Sequence, residues 1–239
     1  AAVAATHSSR LGGRVEVLRH VHDRAAPARP AVDVELVDDR ADDREAHAAV
    51  CRVIGERRLR RLRDQVLHRK ADAGASLLVF PEAWIPGYPT WVWRLKPGAD
   101  MALSDELHAR LRQNAVGIER GDLQPLQDAA RRREVTVVVG LHEIDSRFSG
   151  TTLFNTVVVI GPDGMVLNRH RKLMPTNPER MVWGMGDASG LRVVDTPAGR
   201  LGCLICWESY MPLARYALYA QGIDVLVNPT WDNGDVCLA

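Results

Sequence analysis

Two runs of apolar, largely β-branched residues, at 135–141 and 154–160, constrain this chain more than any other feature. Side chains of this kind suit the pleated interior of a sheet, so both runs are expected to be central strands. Around them, short apolar runs alternate with helical stretches and Gly/Pro turns, the rhythm of an α/β or layered-sheet domain. Residues 76–80 read as a buried strand stopped by Pro81, and residues 104–117 and 122–133 as helices with polar outer faces. Gly161-Pro162-Asp163-Gly164 is a tight turn into residues 165–167, which predicts a hairpin. A second hairpin is expected from residues 192–194, the turn at 196–199 and residues 201–206. Residues 212–220 read as a helix closed by Gly222, and residues 223–227 as one more buried strand.

This texture begins at about residue 75. Residues 1–74 form an atypical segment rich in Arg, Asp, Ala and His, with only short apolar clusters. Residues 32–37 alternate like a strand, and a helix is expected at 56–73, where Leu59, Leu62 and Val66 share a face beneath a dense run of arginines. That run is either a nucleic-acid-binding arm or a solvated helix face. No interleaved aromatics or binding motif accompany it, which favours the solvated face. The net charge of +1 gives no general reason to expect nucleic acid as partner. No apolar run approaches the ~18 residues that cross a bilayer. The four cysteines do not make a disulfide framework, and residues 1–10 lack a secretory layout. The expectation is a reduced, soluble, cytoplasmic protein.

Three stretches carry candidate chemistry. In Phe80-Pro81-Glu82-Ala83-Trp84-Ile85-Pro86-Gly87-Tyr88-Pro89, a strand runs into a proline-stiffened loop with one carboxylate among apolar and aromatic neighbours. Burial would raise that carboxylate's pKa and suit Glu82 to proton transfer, although a glutamate paired with an arginine would look the same. His170-Arg171-Lys172-Leu173-Met174-Pro175-Thr176, with Glu179 beyond it, could be a solvated turn. It nevertheless follows a hairpin and precedes apolar residues, a setting in which a lysine becomes a fixed positive charge. Gly202-Cys203-Leu204-Ile205-Cys206-Trp207-Glu208 has Cys-X-X-Cys spacing, which invites a redox or zinc reading. Zinc needs four ligands, and Cys51 and Cys237 stand alone without suitably spaced histidines. Leu204-Ile205 looks like strand interior; alternation would turn Cys203 and Ile205 to one face and Leu204 and Cys206 to the other. Cys206 would then end the strand, where backbone N–H groups and a base can activate a thiol. A structural buried cysteine is the alternative. Together the three stretches supply a thiol, a carboxylate and a cation, a set that can attack an electrophilic carbon bound to nitrogen.

The same stretches resemble the nitrilase branch of the carbon–nitrogen hydrolase superfamily. The resemblance runs from about Ala75 to Ala239, through Glu179-Arg180 and Trp183-Gly184, and includes Cys206-Trp207-Glu208-Ser209-Tyr210-Met211-Pro212 and Pro229-Thr230-Trp231-Asp232. It departs from the family pattern at Ala188, where Gly is usual, at Ser209, where Asn is usual, and at Cys237, in a region where an aromatic is common. Residues 1 to about 50 do not resemble the family's first strand and helix. The resemblance implies a four-layer α-β-β-α sandwich, incomplete in this chain, with further strands and helices completing its second half.

By the same resemblance Glu82 is the general base, Lys172 the oxyanion stabiliser, Cys206 the nucleophile and Glu179 a second glutamate supporting the lysine and the water. The Trp207 backbone N–H would be the other oxyanion donor, and Trp84, Tyr88, Trp207 and Trp231 are candidates for the substrate pocket. The implied reaction converts an organic nitrile to carboxylic acid and ammonia through a covalent thioimidate and thioester, with no cofactor or metal. Family members assemble into dimers and spirals, which assigns residues 209–221 to an assembly helix. An aliphatic amidase, carbamoylase or cyanide-degrading enzyme would use the same residues. From a different class, a non-catalytic fragment binding nucleic acid or a partner through the basic helix is the remaining alternative.

Overall fold

The computed structural model describes the backbone of three early strands, β1 (Ala2–Ser8), β2 (Gly13–His20) and β3 (Val34–Leu36), and then residues 75–145, 147 and 149–231. The helix expected at 56–73, together with Asp232 and Cys237, lies outside the described residues. Seven more strands follow: β4 (Leu77–Val79), β5 (Thr136–Ile144), β6 (Leu153–Ile160), β7 (Val166–Arg171), β8 (Val194–Thr196), β9 (Gly199–Cys203) and β10 (Val225–Trp231). They form two five-stranded sheets, one in the order β1-β2-β10-β9-β8 and the other β3-β4-β5-β6-β7. In the second sheet β3, β4 and β5 run parallel, and β5, β6 and β7 are antiparallel neighbours.

Side-chain alternation stacks the layers. Leu77, Val79, Val138, Val157 and Val159 of the second sheet meet Leu201, Cys203, Val225 and Val227 of the first in one buried cluster between the sheets. The intervening residues Leu78, Val137, Val139, Val158 and Ile160 point the other way. They pack with Leu126, Ala129 and Ala130 of helix α2 (Gln124–Arg133). On the far side of the first sheet, Leu204 and Leu226 pack with Ala214 and Leu218 of helix α3 (Pro212–Tyr219). The result is an α-β-β-α arrangement, with residues 135–141 and 154–160 buried centrally as their composition requires.

The helix boundaries follow local chemistry. Helix α1 (Met101–Gln113) starts three residues earlier than expected and stops four earlier, burying Leu107 and Leu111 one turn apart. Helix α2 has Pro125 in its first turn and arginines in its last, where they complement the helix dipole; Glu134 then closes it in the left-handed region at φ 50°. Helix α3 begins at Pro212, and Gly222, at φ +76°, donates its N–H to the Tyr219 carbonyl at 2.9 Å. The expected turn joins β6 to β7, with Gly164 N–H donating to the Gly161 carbonyl at 2.9 Å. The second hairpin also forms, but β9 ends at Cys203, three residues before the expected end.

Candidate active site

Glu82 sits two residues beyond the strand extension that Phe80 makes by donating its N–H to the Val138 carbonyl at 2.8 Å. The loop then folds back onto β5: Ile85 N–H donates to Gly140 O at 3.2 Å and His142 N–H to Ile85 O at 2.8 Å. Gly140 is what permits this approach. A Cβ there would stand 2.4 Å from the Pro81 carbonyl oxygen and 2.7 Å from the Ala83 nitrogen. The carboxylate of Glu82 is thereby buried, not left at a loop edge.

The basic run is no solvated turn either. His170, Arg171 and Lys172 are all buried at the end of β7. Arg171 is an anchor, donating to Glu143 Oε2 at 2.9 Å and to Asp145 Oδ2 at 2.5 Å over the Phe154 ring. Lys172 faces the cluster. Its Nζ donates to Glu82 Oε1 at 2.8 Å and to Glu179 Oε2 at 2.9 Å. Glu179 lies in a short 3-10 turn (Asn177–Met181), where Oε2 also accepts the Thr176 N–H at 2.7 Å. Its other oxygen takes the Tyr88 hydroxyl at 2.5 Å.

Cys206 opens another 3-10 turn (Cys206–Tyr210) with φ at 53°, a left-handed conformation that few residues other than glycine adopt. That kink overturns the expected alternation. Cys206 packs in the inter-sheet cluster with Cys203 and Ile205, whereas Leu204 belongs to the outer one. The turn is held by Glu208, whose fully buried carboxylate accepts the Ile205 N–H at 2.6 Å and the Leu173 N–H at 2.7 Å. His170 Nε2 completes the clip at 2.9 Å. One carboxylate thus ties the segment after Lys172 to the segment before Cys206. Asn228 of β10 adds a bond from Nδ2 to the Cys206 carbonyl at 3.1 Å.

The aromatic candidates divide. Tyr88 stacks on Trp231 at 4.1 Å between centroids and meets Trp183 edge-on at 5.7 Å, and the Trp231 N–H donates to Glu82 Oε2 at 2.8 Å. These two belong to the cluster. Trp84 does not: it packs on Phe80, 6.2 Å between rings, within the core that faces α2. Trp207 is 54% exposed, its indole against Tyr210, so its contribution to the site is its backbone N–H, which favours the Cys206 thiolate. Two contributors were given no site role by the sequence. Asn155 donates from Nδ2 to Glu82 Oε1 at 2.7 Å, and Trp183 Nε1 donates to His142 Nδ1 at 2.9 Å behind the Tyr88 loop.

Electrostatics bind these groups into one unit. Burial pushes the Cys206 thiol up, and so does the Glu82 charge; Lys172 and the Trp207 N–H pull the other way. Glu82 is likewise raised by burial, with Lys172 opposing. Burial works against the Lys172 ammonium, but the charges of Glu82, Cys206 and Glu179 outweigh it and hold the lysine protonated. A proton passing from Cys206 to Glu82 leaves the total charge of this buried group unchanged, so the transfer avoids adding a net charge to a dry interior. Among the described residues no cluster of His, Cys, Asp and Glu is arranged to hold a metal ion.

A family model described as carbon-nitrogen hydrolase matches residues 56–236. The bifunctional nitrilase/nitrile hydratase NIT4B of Nicotiana tabacum is 40% identical over 174 residues, covering 72% of this chain and 49% of that relative. Nitrilase 1 of Arabidopsis thaliana is 42% identical over 163 residues, 68% of this chain and 46% of its own length. An aliphatic nitrilase of Sinorhizobium fredii (strain HH103) is 39% identical over 171 residues, 71% of this chain and 54% of its own. The chain therefore spans about half the length of these curated relatives. Among solved structures, Saccharomyces cerevisiae Nit3, a member of branch 10 of the nitrilase superfamily, aligns with a TM-score of 0.57 at 17% identity. That alignment covers 75% of this chain and 60% of Nit3, a likeness of fold alone. On the length of the family match, the chain belongs to the carbon–nitrogen hydrolase family.

Proposed function

We propose that this chain carries the reaction centre of a nitrilase, which hydrolyses an organic nitrile to a carboxylic acid and ammonia. The observation that carries the reading is the buried cluster in which Glu82 and Glu179 both bond Lys172 beside the Cys206 thiol. Glu82 takes the thiol proton as sulfur adds to the nitrile carbon. Negative charge then develops on nitrogen, where Lys172 and the Trp207 N–H can stabilise it. One such donor is worth about 3 kcal/mol of barrier, roughly a hundredfold in rate. Protonation gives a thioimidate. Glu82, with Glu179, activates a water that adds to it, and ammonia leaves a thioester. A second water releases the acid and returns the proton to sulfur. The reading needs no cofactor, because the protein supplies its own nucleophile. Self-association into a dimer or spiral belongs to the same reading, and the exposed Tyr210, Leu213 and Tyr216 on and beside α3 support it.

Cys206→Ala is expected to abolish ammonia release from nitriles while the circular dichroism spectrum and thermal midpoint stay close to those of the parent. A folded Cys206→Ala protein that still releases ammonia would overturn the assignment. Running the parent on a nitrile and on the matching amide, and measuring acid, amide and ammonia, separates a nitrilase from an amidase built on the same residues.

A further inference from the structure

Glu82 offers its hydrogen-bonding capacity in an uneven way. A carboxylate has about four lone-pair positions, two on each oxygen. Oε1 receives two donors, Lys172 Nζ at 2.8 Å and Asn155 Nδ2 at 2.7 Å. Oε2 receives one, the Trp231 N–H at 2.8 Å. One position on Oε2 is left for an incoming proton. The same asparagine also acts through its backbone, because the Lys172 N–H donates to the Asn155 carbonyl at 2.8 Å. A residue in the middle of β6 therefore grips the base by its side chain and the lysine segment by its main chain.

We propose that Asn155 is a positioning residue for proton transfer. By filling Oε1 together with Lys172, it presents Oε2 of Glu82 as the atom that removes the proton from Cys206. The inference rests on the nitrilase reading of the site and adds to it a residue that acts through Glu82.

The chemistry of the contact supports the assignment. Oε1 accepts from Lys172 Nζ, so only the N–H side of the asparagine amide can face it; the reversed amide would set two acceptors against each other. An N–H donated to a carboxylate stabilises the charged form, so this bond opposes the upward push of burial on Glu82. It also ties the carboxylate to a central strand, which fixes its plane more tightly than the loop of residues 81–89 could. The step itself balances simply: the S–H bond breaks, an O–H bond forms on Oε2, and the electron pair stays on sulfur to attack carbon.

The test uses Asn155→Ala and Asn155→Leu in the full chain, the second filling the vacated volume without a donor. Steady-state ammonia release from a nitrile is followed across pH, beside thermal midpoints. In both variants kcat is expected to fall about tenfold or more with KM little changed. The acid limb of kcat/KM should move to higher pH by about half to one unit, because losing the donor destabilises the ionised base. If either variant folds like the parent and keeps the parent's acid limb, Asn155 is only a packing residue and the proposal fails. If the parent itself releases no ammonia from any nitrile in the panel, the nitrilase reading fails first, and the two outcomes cannot be confused.

Discussion

Single residues decide whether the clustered side chains meet. Gly140 is the sharpest case, because the Glu82 loop crosses β5 where no side chain can stand. Gly140→Ala is expected to push that loop away and lower kcat/KM about a hundredfold, the scale of a displacement near 1 Å, while the fold survives. Steady-state kinetics beside a denaturation curve would check it, and unchanged kinetics in a folded variant would refute it. What sequence made legible at this scale was the chemistry of each residue. Glu82 in an apolar loop, Lys172 before an apolar run and Cys206 near a strand end all stood out by their neighbours. Partnerships across the fold did not. Tyr88 with Glu179 spans 91 positions and Asn155 with Glu82 spans 73, and no local periodicity encodes such a pair. Cys206 was turned to the wrong side for a related reason. Alternation assumes an extended chain, and the positive φ at Cys206, braced by Glu208, breaks that assumption at one residue.

Secondary-structure elements translate these choices into position. Helix α3 backs the first sheet just after the Cys206 turn, and Leu218 is the side chain it buries most completely, against Leu204, Ile223 and Leu226. Leu218→Ala should cost about 2–5 kcal/mol through lost burial and the cavity left behind, measured as a lower denaturant midpoint. A cost below about 1 kcal/mol would mean the helix contributes little to holding the sheet. Helix α3 itself was readable from Pro212, the spacing of Ala214 and Leu218, and Gly222. The β6–β7 hairpin was readable from its Gly-Pro-Asp-Gly turn. Strand order was not. That β10 lies between β2 and β9, or that β3 to β5 run parallel while β5 to β7 do not, depends on tertiary packing that residue patterns leave open. The end of β9 was overextended because Leu204-Ile205 is apolar enough for a strand, yet its backbone is redirected by the Glu208 clip.

At the scale of the molecule, buried charge sets the response to acid. Asp145 is held well below the ordinary carboxylate range, first by its bonds to Arg147 and then by Arg171. A depressed carboxylate adds stability that is fully present above its unfolded pKa of about 3.9 and is lost as pH falls through the lower folded value. Asp145→Asn is therefore expected to lower the thermal midpoint by a few degrees at pH 7, for a loss of about 1–2 kcal/mol. The gap between variant and parent should narrow below about pH 4. A gap that stays constant down to pH 2 would contradict this account. A different consequence follows from how the strands are shared out. Glu82, Asn155 and Lys172 ride on one sheet, whereas Cys206 and Trp231 ride on the other. On the proposed reading the reaction centre thus straddles a seam, and turnover becomes a gauge of alignment: a slip too slight to alter either half's own bonding would silence the chemistry well before the molecule came apart.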